Sequence, residues 1–434
     1  MNRKWFKQFK KYITKVYDFK GIVNSPNDTR IAPRIRVRTV FISLFTCFVL
    51  RVRSFNLLEG LYIKNGKLKK LTGETEKNSP SADTLDYSLV RTDTEELFKT
   101  NIRKVVGKAR ENKIYRRGTV DGYIVAGIDG TELYNSYSEW PGWSKRRVTR
   151  KSRDGGNEEA DQYYVRGVLA EYIGEGVKLY LGAVRQEKEE YEVDAAIRLI
   201  GKLYEQGKHY CDVIVSDALY LRTNYIKAVK AQNKEVIIRL KNENYNIRKD
   251  ADGLFGARQA DNVIKDVRIR GESKNVLYDL EIWDEEGFTS WEKAGMPLRV
   301  VKIREKKNIR TYKGGEKITE ETREIYALTT LTKSQMKGET VWRTIHLRWD
   351  IENNGINELK NSWNLSHCYN HDVTAIEAIM LIMLMAVNLF TLFVERNLKE
   401  YSLYGLTRLE VVEEFKHEFM STDEYTYRLY IDDG

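Results

Sequence analysis

Cysteine is scarce and badly placed for cross-linking. Cys47, Cys211 and Cys368 are odd in number and far apart, which argues against a disulfide framework and suits a reducing compartment. No CxxC pair occurs, so the one metal-like spacing, "SHCYNHD" with His367, Cys368 and His371, lacks the further ligands that a closed zinc site needs. GxxxxGK[ST], GxGxxG, HExxH and GxSxG are also missing. Nucleotide hydrolysis, dinucleotide redox chemistry, zincin proteolysis and serine hydrolysis therefore have no sequence handle. The start, "MNRKWFKQFKKYITKVYDFK", is basic and aromatic with no apolar secretory core behind it. One segment, 375 to 398, approaches membrane-span length, but it carries Glu377 and Asn388, and a buried core helix is the expectation.

What the chain does have is an uneven charge. The formal net charge is +10 over 434 residues. Residues 1 to 60 hold thirteen Lys and Arg against three acids, and the remainder balances. A basic arm on a neutral body suits a polyanion, because each cation that neutralises a phosphate releases condensed counterions. A solubilising face is the alternative. The length exceeds one ordinary core, so two or three domains are expected.

The texture changes along the chain. Residues 1–115 look helical, with an apolar segment at 38 to 58 and an acid-rich N-terminal turn after Thr92 and Asp93. From 116 to 244, three adjacent strands precede alternating strand and helix, which implies a mixed sheet covered by helices. Residues 245–318 break that rhythm with hairpin-like runs and read as a β-rich insertion. Residues 319–400 resume the core with "REIYALTTL", a long helix and the apolar helix, and 401–434 form a tail. No repeat or low-complexity tract is present.

Two acids end apolar strands: Asp129 in "YIVAGIDG" and Asp217 in "CDVIVSDALY". A carboxylate at a strand's carboxyl end is aimed by rigid backbone at whatever lies outside the sheet. Taken alone, each reads equally as a turn or cap residue; the pair is better evidence than either. Hard divalent cations want a third oxygen donor, and Glu352 in "RWDIENNGINELK" is the candidate. Arg348, four residues earlier, shares its helix face. Lys360, eight residues later, falls within about 80° of it on a regular helix. A solvated face of ion pairs is the competing reading.

The order Asp129, Asp217, Glu352, with "IDGTE" and "VSDALY" on strands and "RWDIE" followed by "LK" on a helix, resembles the DDE transposases of bacterial insertion sequences. The resemblance is to the group with a Y-R-E-K signature, insertion sequence family four. Two positions depart from that signature: Ile345 stands where its Tyr falls, and Leu359 where its Lys falls, with Lys360 one later. The resemblance implies an α/β, RNase H-like mixed sheet flanked by helices, a β-rich insertion between the second Asp and the Glu, and a helical N-terminal DNA-binding domain. It implies that Asp129, Asp217 and Glu352 hold two Mg²⁺ or Mn²⁺ ions for strand cleavage and transfer. Arg348, Trp349 and Lys360 would grip DNA near the cut, and Arg34, Arg36 and Arg38 would bind terminal repeats. The loop at 139 to 153, with two Trp and a basic run that includes Lys145, Arg146 and Arg147, reads by its own composition as a DNA contact by stacking and charge or equally as a disordered surface loop. The implied partners are double-stranded DNA and a second copy of the chain, in the nucleoid of a bacterial cytoplasm. The rival readings are an RNase H-like nuclease that never joins strands, a non-catalytic DNA-binding derivative, and a membrane-associated basic protein.

Overall fold

The computed structural model describes residues 4–421 apart from 75–77, 153–154, 206, 270–271 and 312–316. Arg3, Arg153, one expected hairpin tip in the insertion and the tail beyond 421 lie outside the described residues. Ten strands form one mixed sheet: β1 (Val125–Ser136), β2 (Ser144–Lys151), β3 (Asn157–Tyr172), β4 (Tyr180–Arg185), β5 (Val213–Ser216), β6 (Glu235–Arg239), β7 (Asn262–Val267), β8 (Val276–Phe288), β9 (Leu298–Thr311) and β10 (Lys317–Thr329). The order is β2-β3-β1-β5-β6-β10-β9-β8-β7, with β4 also pairing β3. β1, β3 and β4 are antiparallel, while β1, β5 and β6 run parallel. This large mixed sheet flanked by helices is consistent with an RNase H-like α/β fold.

Sequence chemistry explains the centre. β5 is four residues, "VIVS", all buried, as a parallel strand covered on both faces must be. Helix Glu192–Tyr204 leads into β5, and helix Thr223–Ala231 carries the chain from β5 to β6. Strands β7, β8 and β9 continue the same sheet. β10 pairs β9 along its whole length and β6 through Ala327, Leu328 and Thr329. A helix, Asn246–Gly256, precedes β7 where only hairpins were expected.

The basic segment after Pro141 was expected to be a loop, and this is corrected: residues 144 to 151 are strand β2. Its cations meet acids across the ladder, with Lys145–Asp161 at 2.7 Å, Arg146–Glu132 at 2.7 Å, Arg147–Glu159 at 3.2 Å and Arg150–Glu158 at 2.7 Å. Opposite charges facing one another turn a self-repelling run into a favourable cross-strand pattern.

Helices cover the sheet around Val373–Arg396, which is long and apolar enough to cross a membrane but is 94% buried over its most apolar window. Its buried amide is satisfied internally: Asn388 accepts from the Tyr180 amide at 2.9 Å and donates to Asn101 Oδ1 at 3.0 Å and the Tyr180 carbonyl at 2.8 Å. Such pairing is what a buried amide requires. Helices Trp5–Tyr17 and Val37–Val49 pack on it through Phe9, Phe45 and Phe393. Helix Arg408–Ser421 closes on the first helix, where Glu418 accepts from the Phe6 amide at 2.7 Å. One hydrophobic core therefore runs from Trp5 to Phe419.

Candidate active site

Register brings the first two acids together. Gly127 is level with Val215 across the parallel β1–β5 pair, so two residues further on Asp129 and Asp217 stand level, on strands about 4.8 Å apart, with side chains on one face. Each carboxylate has one oxygen tied down. Asp129 Oδ1 accepts from the Gly130 amide at 2.9 Å, and Asp217 Oδ1 accepts from Leu219 at 2.7 Å, capping the short turn Ala218–Tyr220. The second oxygen of Asp129 faces Arg348 at 3.6 Å. Burial pushes the Asp129 carboxyl up to about 6; the guanidinium of Arg348 opposes that rise, and the charges of Asp217 and Glu192 add to it.

Glu192 was not anticipated. It is buried, and its carboxylate lies over Gly130, where an added Cβ would meet Glu192 Cδ at 2.1 Å. Only glycine fits there. Tyr220 donates to Glu192 at 3.0 Å, and Arg166 pairs with it at 2.8 Å. The tyrosine of "VSDALY" thus serves the same acid that the glycine of "IDG" admits. A lone Glu in a helix's first turn reads in sequence as a dipole partner, so nothing local pointed to this role.

The helix Gly338–Leu347 and its continuation lie over this face. Ile351 packs on Gly127, 3.4 Å from where a Cβ would stand, and buried Arg348 reaches Asp129 Oδ2 at 3.6 Å. The helix is pinned from β9 and β10. Glu305 on β9, fully buried, accepts from Trp342 Nε1 at 2.6 Å, meets His346 Nε2 at 2.6 Å and pairs with Arg323. These partners overcome the effect of burial and hold the Glu305 carboxyl down to about 2.

Glu352 stands next to Ile351 on this helical segment, but its side chain is exposed. Among the described residues no three His, Cys, Asp or Glu side chains gather closely enough to hold a metal. The structure therefore brings Asp129 and Asp217 together and leaves Glu352 in solvent. The donor set still suits a hard divalent ion, since it is two neighbouring carboxylates, of which Asp129 is held on its outer oxygen only by the 3.6 Å contact with Arg348.

Residues Ile351–Ile356 form a π-turn, closed by a bond from the Asn357 amide to the Glu352 carbonyl. Such a turn holds one more residue than an α-helical one. Eight residues from Glu352 to Lys360 then turn like seven, and Lys360 returns to within about 20° of the Glu352 direction instead of about 80°. Half-buried Lys360 has Glu132 and Arg166 as its charged neighbours, and burial lowers its pKa. Tyr180 holds the π-turn by donating to the Gly355 carbonyl at 2.8 Å, while buried Glu171 fills the place of a Gly355 side chain.

The other expected contacts are scattered. Trp349 is 39% exposed, with the Arg323 guanidinium 5.4 Å from its ring. Arg34 and Arg36 are exposed just before helix Val37–Val49, and Arg38 is in its first turn. Lys145, Arg146 and Arg147 are engaged on β2. His371 stacks on Trp140 at 3.9 Å and His367 meets Tyr369 edge-on at 4.5 Å, so both rings have packing roles.

The family model described as "Transposase DDE domain" matches residues 140–389. That is more than half of the chain, and the protein belongs to this family. The match contains Asp217 and Glu352 and begins eleven residues after Asp129. No curated protein matches the sequence. The class carries general expectations: transposase activity, DNA as partner and normally divalent metal ions.

Proposed function

We propose that this protein is the transposase of a bacterial insertion sequence of the Y-R-E-K group, which binds the terminal repeats of its element and cuts and joins DNA strands. The observation that carries the reading is the level pair Asp129 and Asp217, at neighbouring strand ends, under a helix whose buried Arg348 already faces one of them. Asp129, Asp217 and, from the turn above β1, Glu352 would hold two Mg²⁺ or Mn²⁺ ions. When bound, such ions supply a nucleophile at phosphorus and neutralise the leaving oxygen.

The chain's own groups do the rest. Arg348 offers a fixed guanidinium fork for a phosphate oxygen once the Asp129 charge is otherwise engaged. Lys360, phased by the π-turn, supports the neighbouring phosphate, which removes the difficulty raised by its one-residue offset. Trp349, half in solvent, offers a stacking face. Arg34, Arg36 and Arg38 crowd the N-terminal end of a helix, where the macrodipole disfavours cations, and an incoming DNA backbone would relieve that. Lys145, Arg146 and Arg147 would reach DNA by exchanging their acids on β3 and β1 for phosphates. In this reading residues 1–115 bind DNA, 116–244 and 319–400 form the RNase H-like catalytic core, 245–318 insert between them, and 401–434 form a C-terminal extension. Two copies would hold two element ends, in the bacterial nucleoid.

The test is cleavage of the DNA that flanks the gene, in Mg²⁺. Asp129→Ala, Asp217→Ala and Glu352→Ala are each expected to abolish cleavage while end binding persists. Loss of end binding in all three would assign these acids a structural role instead. Joining of pre-cut ends to a second duplex separates a transposase from a nuclease that only cuts.

A further inference from the structure

A third side chain shares the row of Asp129 and Asp217. Ser216 is level with Ile238 across the parallel β5–β6 pair, so Arg239, the last residue of β6, stands level with Asp217 and on the same face. Across its other edge Arg239 is level with Ala327 of β10. Arg323, four residues before Ala327, projects from that same face by strand alternation.

Arg239, Arg323, Arg348, His346 and Trp349 line one recess of about 10 Å³. That is the room of a single water-sized group. It would take one oxygen atom rather than a base or a sugar.

The charges in the recess do not balance. Arg348 faces Asp129, and Arg323 is paired with Glu305. The guanidinium of half-buried Arg239 makes no hydrogen bond and no ion pair among the described residues. Its charged neighbours are Arg323 and Arg348, of like sign, and the more weakly felt Glu305 and Asp217. An unpaired guanidinium, partly desolvated between two others, is costly unless an anion joins it. Its five N–H donors match phosphate geometry.

We propose that Arg239, with Arg323 beside it, binds a non-bridging oxygen of a DNA phosphate adjacent to the one cut at Asp129 and Asp217, on the side of the insertion. The assignment rests on the DNA-cutting reading above. It gives the insertion a share in the site, since β9 supplies the Glu305 that orients Arg323.

The experiment uses the full chain and a duplex of its own flanking DNA, unmodified or carrying a single neutral methylphosphonate at each position around the cut. Without divalent ions, Arg239→Ala is expected to reduce the slope of log K against log salt by about 0.9, the release of one phosphate contact. In Mg²⁺ its cleavage rate is expected to fall about ten- to a hundredfold, the range for one charge-assisted hydrogen bond. One methylphosphonate position should slow the wild type yet leave Arg239→Ala unaffected. Arg239→Lys, which keeps the charge but loses the fork, should retain the slope and lose part of the rate; it also serves if the alanine variant does not fold. An unchanged slope in Arg239→Ala, or equal sensitivity of wild type and variant at every position, overturns the site and leaves the DNA-cutting reading standing. A wild-type chain that cuts no DNA overturns both.

Discussion

Replacing Asp129 by Asn should make the protein more stable while destroying its activity. The Asp129 side chain is 16% exposed, and its pKa rises from 3.8 to about 6 on folding. Because the folded value is the higher one, the native state holds the extra proton between the two values. Stability from this group is complete below about pH 4 and is lost as pH rises through about 6. The gap of about two pH units, at about 1.4 kcal/mol each, amounts to about 3 kcal/mol of strain at neutral pH. An isosteric amide never ionises, so Asp129→Asn escapes that cost. Urea unfolding in EDTA should find the variant more stable than wild type by about 3 kcal/mol at pH 8, by about half that at pH 5, and hardly at all near pH 4. Added Mg²⁺ should stabilise the wild type and leave the variant unmoved, because only the native wild type offers the ionised pair. Equal stabilities at pH 8, or a difference that does not change with pH, would refute the view that an ionised Asp129 is held under strain for a cation. Stability sacrificed at an active site is common.

The remaining predictions concern how the site is held. Gly355→Ala puts a methyl 1.9 Å from Glu171 Oε2, so the π-turn must shift; cleavage should drop at least tenfold with circular dichroism unchanged, and normal cleavage would show that the turn is not needed. Glu305→Ala leaves His346, Trp342 and Arg323 without their buried partner and should cost about 3–5 kcal/mol in urea unfolding. Since the Glu305 carboxyl is held down to about 2, below its ordinary value, the wild type should lose stability as pH falls from about 4.5 towards 2, and Glu305→Gln should lack that loss. Asn388→Leu strands the Tyr180 amide and Asn101 in the core, so the thermal midpoint should fall by an amount worth about 1–3 kcal/mol. A neutral effect there would mean that water replaces the amide.

The composition of short stretches already carried much of the architecture. "VIVS" is β-branched and apolar at its first three positions, and a four-residue buried parallel strand is what that composition permits. The acids that follow such runs, Asp129 and Asp217, were visible because a strand's end is marked locally by the change from apolar to polar. The buried fate of 373–396 was also legible, since one amide and a flanking acid can be satisfied inside a protein far more easily than in lipid. The strand at 144 to 151 was not legible. Its cations look like an exposed loop until the acids of β3, which lie beyond a turn, are placed opposite them.

Sequence alone therefore nominated Asp129, Asp217, Glu352 and their basic neighbours as candidates, because residue chemistry and strand or helix period are local properties. Tertiary structure decided which of them meet. The β1–β5 register levels two acids 88 residues apart in the chain, the β5–β6 register adds Arg239, and the π-turn returns Lys360 to the direction of Glu352. Glu192 arrives beneath Gly130 from a helix that follows a different strand. Register and helix phase are set by packing over long chain separations, where a slip of one residue moves a side chain to the other face of a strand or about 100° around a helix.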